Sequence, residues 1–167
     1  MYVLPRTARR SLLTAHIVVS VGLLGDSAGF LAVALQAAAT SDPALAAGSR
    51  ETLEMFSIVF GIPLSVLTIV TGVALGLGTK WGILRSPWVT AKLALIVSVM
   101  VVGALVLGPN AARDDRDALL VAGAAYDVAA LVLATGLSVF KPGGRRRPYP
   151  QGDEHARPAR RLHPTGA

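Results

Sequence analysis

The sequence predicts an all-α membrane protein: four transmembrane helices in a bundle, followed by a disordered basic tail. Three observations carry this expectation. Of 167 residues, 53% are hydrophobic and only 16% are charged, with a mean hydropathy of +0.57, whereas soluble domains carry nearer a quarter charged residues. The charges fall in short segments between apolar runs, each longer than the roughly 20 residues that cross a bilayer as a helix. None of the runs shows the regular alternation of barrel strands, and only helices and closed barrels satisfy their backbone within lipid.

The elements follow in chain order. Residues 1–10 form a basic N-terminal segment with Arg6, Arg9 and Arg10. The first span is expected near 12–38, where the sole charge between Arg10 and Asp42 is Asp26. The second, near 55–78, has no charge between Glu54 and Lys80, and Pro63 should kink it by removing a backbone donor. The third, near 87–108, contains only Lys92, and the fourth, near 118–140, only Asp127. "RDDRD" at 113–117 reads as the start of the fourth helix, with an aspartate in its first turn. The four spans make up a transmembrane domain over 11–140. Residues 141–167 are rich in Pro, Gly and Arg, too poor in large apolar residues to bury a core, and are expected to be disordered and cytoplasmic.

Orientation follows from the basic residues. Most of the 16 lysines and arginines lie in the N-terminal segment, in the second loop (Lys80 and Arg85) and in the tail, whereas Arg50, Arg113 and Arg116 lie in the first and third loops. The positive-inside rule then puts both termini in the cytoplasm, and Trp81 and Trp88 bracket the short second loop as interfacial anchors. "RTARR" followed by an apolar run and "ALQAAATSD" mimics a signal peptide. The apolar stretch is too long for a signal h-region of about 7–15 residues, so the first span is read as retained. The net charge of +6 is a topology signal rather than a nucleic-acid surface, because the basic residues flank apolar runs.

Spacing assigns helix faces. Gly22, Gly25, Asp26 and Gly29 share one face of the first helix, with Gly25 and Gly29 as a small-xxx-small pair, so Asp26 is expected inside a packing seam. Gly61, Ser65, Thr68, Gly72 and Gly76 form the seam of the second helix, and Gly123, Ala124, Asp127, Ala130 and Ala134 that of the fourth. Asp26 and Asp127 fall near the midplane, within roughly 5 Å in depth. His16 and Lys92 form a shallower polar level toward the cytoplasm.

A central aspartate costs about 2.5–3.5 kcal/mol to insert, so two of them call for an account. One is packing: protonated carboxyls hydrogen-bonded across helices. The other is a proton-linked pair, since two close carboxyls in low dielectric do not readily both ionise. Lys92 can pair with an aspartate or snorkel to the interface. His16 reads as an interfacial histidine rather than a relay or a ligand. It is the one histidine in a span, the others being His155 and His163 in the tail, so no axial pair for haem is expected and no cofactor is assigned. With no cysteine, no methionine cluster and arginines among the aspartates of "RDDRD", no metal site is assigned either. Walker, G-x-S-x-G, H-E-x-x-H and dinucleotide motifs are absent, so no enzyme is expected.

Two stretches, "HIVVSVGLLGDSAGFLAVAL" from His16 and "WGILRSPWVTAKLALIVSVMVVGALVLGP" from Trp81, resemble an uncharacterised family of small bacterial, mostly actinobacterial, four-helix integral membrane proteins, catalogued as a domain of unknown function. The most specific part runs from Trp81-Gly82 through Arg85 and Trp88 to Lys92-Leu93. The resemblance covers residues 11–140 and implies four spans and a plasma-membrane location. It implies no reaction or ligand, and Asp26 stands where an apolar or small residue is expected. The sequence therefore favours a non-catalytic membrane component that packs with itself or a partner protein in the lipid bilayer. It ranks next a small proton-coupled transporter or channel subunit using Asp26 and Asp127, and last a membrane redox module.

Overall fold

The computed structural model describes residues 5–78, 87–111, 113 and 117–140, so Trp81, the second loop and the tail lie outside the described residues. Four helices are long and apolar enough to cross a membrane: α1 (Arg6–Ala39), α2 (Pro43–Leu77), α3 (Pro87–Asn110) and α4 (Asp117–Phe140). There is no strand among the described residues.

α1 has 34 residues, about 51 Å at 1.5 Å per residue, longer than the roughly 30 Å hydrocarbon core. The turn to α2 is short. Thr40 N–H closes α1 onto the Gln36 carbonyl at 3.1 Å. Asp42 then caps α2 by accepting from Ala44 N–H at 2.9 Å, with Pro43 as the first helical residue, where a missing N–H does no harm. α2 thus begins at Pro43 rather than near 55, because the cap governs the start while Arg50, Glu51 and Glu54 only make the first turns polar. Arg50, expected in a loop, is helical, and its Nη2 donates to both Asp117 carboxylate oxygens at 3.2 and 3.3 Å. This ion pair ties the N-terminal part of α2 to the first turn of α4.

α2 and α3 each contain a π-helical segment, Phe56–Gly61 and Gly103–Leu107. Ile62 N–H bonds the Ser57 carbonyl, and Gly108 N–H bonds the Gly103 carbonyl. A proline follows each closing residue, Pro63 in one helix and Pro109 in the other. Proline has no N–H to donate, and its ring crowds the carbonyl four residues earlier. Widening the preceding turn moves that carbonyl aside while each remaining N–H keeps a partner. The break expected at Pro63 is therefore taken up as a π turn, and Pro109 repeats the device.

α1 packs along α2 and α4, and α3 packs mainly on α4. The α2–α3 seam, where the two π segments meet, is lighter. Two apolar clusters fill the bundle. Phe30, Ala34, Leu53, Leu107, Ala111, Leu120 and Ala124 form one, and Leu23, Val99, Ala130 and Leu131 the other. Lipid tails are as apolar as these side chains, so close packing rather than water exclusion holds them.

Glycines permit the closest contacts. A Cβ on Gly29 would meet the Phe56 ring at 2.9 Å, and one on Gly123 would meet Leu107 Cδ2 at 2.8 Å. Gly22 faces Leu64 at 3.5 Å. Gly25 differs from its expected place in the seam: it is exposed, with nothing within 4 Å of a Cβ position. Gly29→Leu and Gly123→Leu should each destabilise the bundle by about 1–3 kcal/mol through overpacking, whereas Gly25→Leu should leave monomer stability unchanged. Unfolding titrations in mixed micelles check this, and equal effects at all three positions would contradict the packing.

Candidate functional site

Two polar levels cross the bundle. At the shallow level His16 and Lys92 take separate partners. His16 Nδ1 lies 2.8 Å from Thr71 Oγ1, and the ring sits against Gly72, whose missing Cβ would approach Cε1 at 3.1 Å. Gly72 thus serves to admit an imidazole rather than a neighbouring backbone. Lys92 Nζ donates to Ser138 Oγ at 2.6 Å, and Ser138 in turn donates to the Ala134 carbonyl. Ser138 lies in the last turn of α4, so the lysine stem runs toward the helix end and away from both aspartates. Trp88, half-buried, lies in the first turn of α3. Gly76, half-buried, lies in the last turn of α2.

The deep level is a cavity of about 480 Å³ between the two apolar clusters, touched by all four helices. α1 supplies Asp26 and Ser27, α2 supplies Ser57, Gly61 and Ser65, and α4 supplies Asp127; Leu23, Phe30, Val99 and Leu107 contribute to an otherwise apolar wall. The small-residue face of α4 is buried as a unit, with Gly123, Ala124, Ala130 and Ala134 alongside Asp127. Asp127 is only 4% exposed. Asp26 is half-buried, and its Oδ2 would lie 3.4 Å from a Cβ on Gly61, so glycine there leaves room for the carboxylate. Both aspartates have a buried Oδ1 without a hydrogen-bond partner. The two carboxyls share one chamber, yet neither is bonded to the other or to a neighbouring helix. That arrangement departs from the expected hydrogen-bonded packing of aspartates across helices.

The π segments shape this chamber. Ser57 and Gly61 belong to the first, and Gly103, Ala104 and Leu107 to the second. Of the lining residues Ile62, Met100, Ala104, Gly108 and Pro109 are exposed, all of them on α2 or α3. No group of three or more metal-binding side chains occurs among the described residues.

Residues 10–142 match the family described as "Predicted integral membrane protein (DUF2269)". The chain belongs to that family. It is an integral membrane protein of the lipid bilayer, with four apolar helices to span it. No match was found among curated proteins or among solved structures.

Several partners escaped the sequence reading. Ser57 and Ser27 line the cavity, and Thr71 and Ser138 hold the shallow histidine and lysine. Thr71 and Ser138 carry a signal, since both lie near the C-terminal ends of α2 and α4, at the level of His16 and Lys92. Ser57 carries none, because the π turn decides its direction.

If the aspartates cross-linked helices, truncating one would remove a buried bond and cost about 1–3 kcal/mol. With no such bond made, Asp127→Ala should leave the unfolding midpoint unchanged or raised, whereas Ser138→Ala should lower stability by about 1 kcal/mol. A clear loss of stability in Asp127→Ala would restore the packing role.

Proposed function

We propose that the protein is a non-catalytic, multi-pass component of the bacterial plasma membrane, with both termini cytoplasmic, that packs against a second copy or a partner protein through α1. The observation that carries this is an unfilled face. Val18, Val21, Gly25, Ala28, Ala32 and Leu35 recur at alternating spacings of three and four, and all are exposed. Such a stripe faces one way along a helix. Its small residues at 25, 28 and 32 admit another backbone closely, the arrangement that drives helix association in lipid. Basic Arg6, Arg9 and Arg10 at the start of α1 support the cytoplasmic placement of the N-terminus.

A second reading, a small proton-coupled transporter or channel subunit, is favoured by the deep cavity. Two acids in one chamber with no protein partner are a costly arrangement in a membrane, and intramembrane carboxyls of this kind mark ion and proton paths.

The chain has no cysteine, so introduced thiols report cleanly. Ala28→Cys should give an oxidative disulfide-linked dimer, or a mixed species with a partner, and Gly25→Leu should abolish it. Ser41→Cys should react with a membrane-impermeant maleimide added to intact cells. Failure to cross-link at 25, 28 and 32 alike sinks the packing face, and labelling of Ser41→Cys only in broken cells inverts the topology. For the second reading, proteoliposomes under an imposed potential should acidify faster with the native protein than with D26N/D127N, and equal rates count against a proton path.

A further inference from the structure

We propose that the Asp26–Asp127 cavity is a binding site for a lipophilic organic cation, a quaternary or protonated amine or a phosphonium carried on an apolar body. The site names a ligand class for the same chamber that supports the transport reading, and it rests on that reading's geometry but not on flux.

Three features point to this class. The first is a pair of carboxyl groups with buried, unpartnered oxygens. Asp127 is nine-tenths buried or more, its Oδ1 has no partner, and Asp26 contributes a second buried oxygen without one. No lysine, arginine or histidine is among the lining residues, so the countercharge is not supplied by the chamber itself. Lys92, the one basic side chain in the described part of α3, is engaged by Ser138 instead. The second feature is size. About 480 Å³ falls within the range of small-molecule pockets, roughly 300–1,000 Å³, and far exceeds the space needed by a proton or a bare metal ion. A hard cation would also call for six or more oxygen ligands, whereas the wall is mainly apolar and no group of three metal-binding side chains is found among the described residues. The third is the wall itself. Leu23, Val99 and Leu107 offer apolar contact, and Phe30 adds an aromatic face of the kind that attracts cations.

The mouth sets the route of entry. Ile62, Met100, Ala104, Gly108 and Pro109 are the chamber's exposed lining residues, all at the light α2–α3 seam, and the first three lie within the apolar spans. A ligand apolar enough to enter the hydrocarbon reaches the carboxyls there without crossing either aqueous loop. A cation beside a carboxylate in low dielectric gains an attraction that offsets part of its desolvation cost, which an anion or a neutral molecule of the same shape does not gain. The Gly61 position completes the site by giving Asp26 room beside the π turn.

The test is equilibrium binding to the full chain in nanodiscs, with no gradient imposed, so binding without transport and transport failure are told apart. The probe is radiolabelled methyltriphenylphosphonium, and its control is methyltriphenylborate, of the same shape and opposite charge. Empty nanodiscs supply the partition background. The native protein should bind the phosphonium saturably and the borate not at all. Asp127→Asn should weaken phosphonium binding by about tenfold or more, Asp26→Asn should also weaken it, and D26N/D127N should abolish the saturable component. Met100→Trp, which narrows the mouth and spares both carboxyls, should slow or reduce binding. Equal uptake of phosphonium and borate by the native protein overturns the proposal without relying on the folding of any variant. Saturable binding unchanged in D26N/D127N overturns it as well.

Discussion

In lipid, helices gain little from hiding apolar surface from one another, so a bundle is held where large side chains fit the spaces that glycines leave. The ring of Phe56 against Gly29, Leu107 against Gly123 and the imidazole of His16 against Gly72 are such fits. They draw α1 against α2 and α3 against α4. With these approaches set, α2 and α3 meet only lightly, and the space left between them is where the carboxyls lie. The chamber is thus the remainder of a packing solution whose tight points lie elsewhere.

Proline shapes that remainder. A regular helix through Ser57–Pro63 or Gly103–Pro109 would force the proline ring against a carbonyl with no compensating bond. The π turns avoid that clash, and they widen both helices where these line the cavity. Functional sites in helical proteins often coincide with π turns. Here both of them border the same chamber, one from each side of the loosest seam.

Much of the architecture is legible in sequence because the bilayer imposes a length and a charge rule. Gaps between Arg10, Asp42, Glu54, Lys80, Arg85, Arg113, Asp117 and Lys141 locate four spans. The start of α2 is less visible, since Arg50, Glu51 and Glu54 interrupt the apolar run, although the Asp42-Pro43 cap is a readable start signal. Helical spacing places Asp127 with its small neighbours but does not separate Gly25 from Gly29. Both fit the same face, and only the neighbouring ring of Phe56 distinguishes them. The partners of Lys92 and Arg50 depend on contacts between distant segments, which periodicity within one helix does not encode.

The Arg50–Asp117 pair clasps the N-terminal parts of α2 and α4, while the exposed lining of the chamber lies at the α2–α3 seam. On the entry route proposed above, the bilayer is the solvent from which this chamber samples its contents. Whatever reaches it has already been sorted by partition, and its effective concentration there is set by solubility in lipid rather than by abundance in either aqueous phase. A weak intrinsic preference for a well-partitioning molecule then amounts to high occupancy, and a strong preference for a poorly partitioning one amounts to little.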